Sequence, residues 1–254
     1  MTRQQVAANM TDSLCGCEGE KSMKVRIRTA TADHAPEVAT IAFKALSMRI
    51  DADSPRVQRI LEDGNTFVAI VEGQVAGLVS NFITCDAQGG RRFELDLLGV
   101  APAWQGRGIG ALLVERSLQA ASEAGAITLR ALVRRDNKPM QRTCSRTGLQ
   151  RSAQIYQLWA SQAGLPLIKR GRNAAAGIIP VDTLSYSGYW LEGALSQSII
   201  DETRALLREN TERAQMGAVV PECDRATIEL LRANSFDRIG DFHWWTLRPG
   251  SAQS

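Results

Sequence analysis

The stretch WQGRGIGALL, residues 104–113, holds glycines at every second position, Gly106, Gly108 and Gly110, with Arg107 between the first two and an apolar helical pattern directly after. Glycines crowded at the mouth of a helix let backbone come close to a ligand. The first turn of a helix also has amides without intrahelical acceptors and carries partial positive charge. Together these features favour an anion, commonly a phosphate. Upstream, Glu94 and Asp96 share one parity of the strand-like run RFELDLLGV, residues 92–100. A carboxylate so placed either takes a proton from a reactant or simply pairs with Arg91 or Arg92. Two other phosphate-binding motifs do not fit. A nucleoside-triphosphate loop needs Gly-Lys-Ser/Thr. A dinucleotide fingerprint follows the first strand of a βαβ unit, whereas this loop follows a β-meander.

The elements that must position these residues are legible from periodicity. KVRIRTA (24–30) alternates as a strand. Asp33 is the expected N-cap of a helix carrying Val38, Ile41, Ala42, Ala45 and Leu46, and Ser54-Pro55 opens a second helix. Residues 66–85 read as two strands around Glu72-Gly73-Gln74, and 92–100 is the third strand of the meander. A helix over 108–124, a strand over 128–133, a short helix capped by Asp136-Asn137 and stopped by Gly148, and a strand reaching Trp159 follow.

The 254 residues suffice for one large domain or two small ones, and the net charge of +3 comes with short arginine clusters but no aromatic-interleaved basic stripe. Nucleic acid is therefore not an expected partner. No apolar run is long enough to span a membrane, and residues 1–22 are polar, without the apolar segment of a signal peptide. The expected location is the cytoplasm, with 1–22 a disordered tail. The five cysteines do not suggest a disulfide framework, and Cys15-x-Cys17 without a second ligand pair does not make a metal site, so no metal is expected.

The order strand, glycine loop, helix, strand, short helix, Gly-apolar, strand resembles the GNAT superfamily of acyl-CoA-dependent N-acetyltransferases. LLGVAPAWQGRGIGALL (97–113) carries the likeness: Gln105, Gly108 and Gly110 match the family loop, and Asn137 and Gly148-Leu149 fall at family spacing. The resemblance covers about residues 24–159. It implies an α/β fold with a mixed, mostly antiparallel twisted sheet, whose central strands splay apart between flanking helices. It also implies acetyl-CoA as co-substrate, direct attack by a small-molecule primary amine, and a pyrophosphate held by Gln105, Gly106, Arg107, Gly108, Ile109 and Gly110. Leu98, Gly99 and Val100 would line the acyl-pantetheine through main chain, with Asn137 completing the coenzyme site. Glu94 or Asp96 would be the base. Many members carry a tyrosine general acid seven residues after the asparagine, where this chain has Cys144. Cys144 as acid, Cys144 as apolar filler, Tyr156 as substitute, and an unassisted thiolate all remain open. A non-catalytic acyl-CoA-binding sensor is the alternative function.

Residues 190–247 parallel 103–160 at an offset of 87 residues, matching Asn137 to Asp224 and Gly148-Leu149 to Ser235-Phe236, while QGRGIG meets EGALSQ (192–197). This reads as a half domain that kept the fold and lost the coenzyme loop. The expected organisation is a tail (1–22), a GNAT domain (23–160), a linker (161–178) and a GNAT-like half domain (179–248). A half domain cannot cover its own sheet, so it should pack on the first domain or on another chain, which allows a homodimer. The acceptor pocket is expected between helices 35–62, the splayed strands and the second lobe.

Overall fold

The computed structural model describes residues 23–162, 177–210 and 212–249. The expected tail, with Cys15 and Cys17, and residues 163–176 of the expected linker lie outside the described residues. The first lobe runs β1 (Val25–Thr29), α1 (Ala35–Leu46), α2 (Pro55–Glu62), β2 (Thr66–Val71), β3 (Gln74–Cys85), β4 (Arg91–Val100), α3 (Ile109–Glu123), β5 (Thr128–Arg134), α4 (Lys138–Arg146), β6 (Gln150–Arg151) and β7 (Tyr156–Gln162). The second runs β8 (Ile178–Asp182), β9 (Ser187–Leu191), α5 (Gln197–Glu209), β10 (Gln215–Pro221), α6 (Arg225–Ala233) and β11 (Asp237–Leu247). One expected cap differs. Asp33 lies inside a 3₁₀ turn, and His34 is the N-cap of α1. The His34 ring is held by the backbone and hydroxyl of Thr31, so the short turn takes over the capping.

Both faces of the first-lobe sheet are covered, which is why β2 reads as an unbroken apolar run. Phe67, Ala69 and Val71 point toward α3, packing with Ile109, Leu113 and Val114. Val68 and Ile70 point the other way, toward Val38, Ile41, Ile60 and Leu61 of α1 and α2. In the second lobe Ile199, Ile200 and Leu207 of α5 bury against β9, β10 and Trp159 of β7.

The two lobes form one sheet, ordered β1-β2-β3-β4-β5-β11-β7-β10-β9-β8. Each lobe gives its last strand to the other. β7 follows α4 in sequence but lies antiparallel to β10, and β11 follows α6 but lies antiparallel to β5. β11 and β7 pair with each other and so join the halves. The internal repeat is visible in the elements. β5 and β10, and α4 and α6, occupy ranges separated by 87 residues. Asn137 and Asp224 cap their helices in the same way, accepting from Met140 N and Thr227 N. Trp245 sits opposite Ala131 in one lobe and Trp159 opposite Ala218 in the other. The second lobe is thus joined to the first by exchanged strands rather than by face-to-face docking. No helix among the described residues is long and apolar enough to cross a membrane.

Candidate active site

Strands β4 and β5 are parallel and paired only from Arg92–Thr128 to Leu95–Ala131, after which they diverge. A bulge starts the divergence. Against β3, Leu95 pairs with Asn81 and Leu97 with Ser80, so Asp96 is the extra residue. A bulge re-aims its side chain and bends the strand, and here it turns the remainder of β4 away from β5. A cleft of about 690 Å³ opens between the strands, lined by Asp96 through Val100 on β4, Leu132 to Arg134 on β5, the glycine loop, and Asn137, Met140 and Thr143 from α4. Phe242, from the exchanged strand β11, also lines it. A wider open groove of about 900 Å³ crosses the outer side of α4 and Trp245 and includes no residue of the glycine loop.

The glycine loop forms one end of the cleft. Gly106 and Gly108 have φ of 77° and 83°, a region that disfavours side chains, and a Cβ at either would project into open space. Gly108 is the N-cap of α3 and offers no side-chain cap. The first amides to find carbonyls there are Ala111 and Leu112, both on Gly108 O. Gln105 braces the loop, donating from Nε2 to Val100 O at 2.9 Å. Arg107 stacks on Trp104 at 4.9 Å and is not among the cleft residues. The second lobe contrasts at the matching place. Ser196 caps α5 by accepting from Ile199 N at 3.4 Å, so one of that helix's first-turn amides already has a side-chain partner. Glu192, the counterpart of Gln105, instead bonds Arg92 and Arg130.

The two acids of β4 have different surroundings. Glu94 is buried, accepting from Thr84 Oγ1 at 2.5 Å and from Arg130 Nε at 2.7 and 2.8 Å. With Arg92 and Glu192 it completes a four-member ion network beneath the cleft rather than in it. Burial opposes the charge of Glu192, but hydrogen bonds from Arg130 and Arg92 more than reverse this and hold its carboxyl below the usual range. Asp96 lines the cleft. Its Oδ1 accepts from Ser185 Oγ at 2.6 Å, while its Oδ2 is buried without a hydrogen-bond partner. Desolvation raises its pKa to about 6, partly offset by hydrogen bonds from Ser185 and Thr183 and by the charge of Arg56.

Leu98, Gly99, Val100, Gln105, Gly106, Gly108, Ile109, Gly110, Asn137 and Asp96 therefore come together around one cleft, while Glu94 and Arg107 do not join them. Cys144 faces the core among the residues that pack α3 and β5, and burial pushes its thiol up to about 12. Its neighbour Thr143 turns to the cleft instead. Sequence reasoning missed Thr143, which lies about 100° around α4 from the core-facing Cys144 and so on a different face. Phe242, one of the second-lobe aromatics expected either to pack or to line the acceptor pocket, does line the cleft, whereas Ser185, for which no local signal exists, was missed. Among the described residues no cluster of three His, Cys, Asp or Glu side chains could hold a metal ion.

Residues 35–149 match the model of the acetyltransferase (GNAT) family. No curated protein matches the chain. Among solved structures, a Pyrococcus horikoshii protein described as a candidate acetyltransferase aligns with TM-score 0.56 and 14% identity over 91% of each chain. The tandem GNAT protein of the clavulanic acid biosynthesis pathway aligns with TM-score 0.54 and 14% identity, over 91% of this chain and 100% of its own. A glucosamine N-acetyltransferase region of a fungal multi-domain β-N-acetylglucosaminidase gives TM-score 0.57 and 12% identity, over 89% of this chain and 38% of its own. At these identities the structural likeness speaks to the fold.

Proposed function

We propose that this chain, whose residues 35–149 match the acetyltransferase (GNAT) family, is an N-acetyltransferase that uses acetyl-CoA to acetylate a primary amine of a small molecule by direct attack. The residues present fit acetyl-CoA. An α-helix N-terminus without a side-chain cap, glycines with open space where a Cβ would stand, and a splayed strand pair adjoin one another in a single cleft. The amides of Gly106 to Gly110 would hold the pyrophosphate. Leu98, Gly99 and Val100 would receive the acyl-pantetheine through backbone that β5 leaves unpaired. When bound, the co-substrate supplies an activated acetyl group as a thioester.

The protein's own contribution to the chemistry is Asp96. An amine attacks only when neutral, and a base with a pKa near working pH both accepts its proton and is ionised enough to act. The buried, unpartnered Oδ2 of Asp96 at the cleft wall is the single observation that carries this assignment. Glu94 is unsuited, because its oxygens are already engaged by Thr84 and Arg130. Cys144 is unsuited as the acid, because its side chain faces the core, and the leaving thiolate takes its proton from solvent.

Thiol release across a panel of amines, with acetyl-CoA titration by calorimetry, tests the proposal. The kcat/KM profile should rise through an acid limb near the Asp96 value of about 6. Asp96→Asn should lower kcat/KM by about 10²–10⁴-fold while leaving acetyl-CoA affinity unchanged. Full turnover in Asp96→Asn would remove it as base. Coenzyme binding with no turnover on any amine would favour the sensor function, and no coenzyme binding would defeat both.

A further inference from the structure

Asp96 is not held by its own lobe alone. The turn between β8 and β9, residues 183–186, reaches across from the half domain that lacks a glycine loop and places Ser185 Oγ 2.6 Å from Asp96 Oδ1. The turn is closed by its own hydrogen bonds. Thr183 Oγ1 accepts from the amides of Ser185 and Tyr186 at 3.2 and 3.0 Å, and Thr183 N donates to Tyr186 O at 2.7 Å. It is also fixed to the first lobe. Leu184, 4% exposed, is embedded in the core made by Val38, Ile41, Val57 and Leu61 of α1 and α2. Arg56 of α2 bonds Asp182 Oδ1 at 3.0 Å and also donates to the carbonyl of Thr183.

We propose that this turn is a positioning element of the active site: Leu184 anchors it, and Ser185 clamps one oxygen of the Asp96 carboxylate and so fixes the orientation of that carboxyl group at the cleft wall. The inference rests on Asp96 being the base. The physical reason is that a carboxylate at a bulge has two rotatable bonds and can turn toward Arg56. A short hydrogen bond from a turn wedged in the core selects one orientation, as supporting groups do for catalytic side chains generally. The half domain then has a use that explains its retention of β8 and β9 without a coenzyme loop.

The charged groups around Asp96 are Arg56 from α2, already engaged by Asp182 of β8, and Arg134, Arg142 and Arg146 from β5 and α4 on the opposite wall. Glu94 lies two residues away on β4, neutralised by Arg130, and β3 opposes the bulge with the uncharged Ser80 and Asn81. None of these is altered by changing Ser185.

Ser185→Ala and Ser185→Thr, compared with Asp96→Asn, test the inference by pH–rate profiles. Ser185→Ala should lower kcat/KM for the amine by about tenfold, the loss of one charge-assisted hydrogen bond. It should move the acid limb to higher pH, because a donor that favours the carboxylate is gone, and leave the KM for acetyl-CoA unchanged. Ser185→Thr should restore the limb. Unchanged rate and profile in Ser185→Ala, alongside an inactive Asp96→Asn, would overturn the positioning role and leave the base assignment standing. An active Asp96→Asn would overturn both.

Discussion

Two carboxylates separated by one residue in β4 answer to different physics. Glu94 is buried among Arg92, Arg130 and Thr84, so removing its charge leaves cations short of a partner. Glu94→Gln should cost about 3 kcal/mol or more, seen as a Tm lowered by several degrees, while acetyl-CoA affinity in the folded protein persists. An unaltered Tm would show the network to be dispensable. Asp96 behaves oppositely. Its folded pKa lies near 6, above the 3.8 of an unperturbed aspartate, so the folded state binds the proton more tightly than the unfolded one. Its contribution to stability is complete below the unfolded value and is lost as pH rises through the folded one. Asp96→Asn should therefore raise Tm more at pH 7.5 than at pH 5, and an equal or reversed difference would contradict the burial of this charge. The sequence shows both acids on one parity, yet it cannot separate them. The separation comes from a bulge and from Glu192 and Ser185, each nearly a hundred residues away.

At the scale of elements, the meander, the glycine loop and the helix after it are readable because each rests on local chemistry: alternation for β2 to β4, glycines at positive φ for the loop, an Asn cap for α4. Gly108→Val is the sharpest probe of this part. Forcing a β-branched residue to φ of 83° costs about 1–3 kcal/mol, and its side chain enters the space in front of the α3 amides. The Kd for acetyl-CoA should rise by about tenfold or more, with the fold retained by circular dichroism. An unchanged Kd would displace the pyrophosphate from this loop. What local chemistry does not encode is strand partnership. β7 and β11 each read correctly as strands, but nothing within them states which lobe they complete, because both carry a tryptophan that fits opposite an alanine, in Ala131 or Ala218.

For the whole molecule, the shared sheet means that neither lobe is an independent unit. Breaking β11 from β5 also uncouples β7. Trp245→Ala in the core of the first lobe and Trp159→Ala in that of the second should each remove about 3–5 kcal/mol. Both should lower the same single calorimetric transition, although the residues lie in different cores. Two separable transitions would show that the exchange does not couple the lobes. The repeat at an offset of 87 residues is legible in the sequence, and its helices and caps fall where the offset puts them. The exchange is a property of the pair and appears only in three dimensions.

The crossing of β7 and β11 also sets an order of assembly on the ribosome. β5 is made long before its neighbour β11, which leaves its edge open while the second lobe is synthesised. Until β11 emerges, that edge of β5 has no strand to pair with, and the cleft lacks the wall that Phe242 supplies.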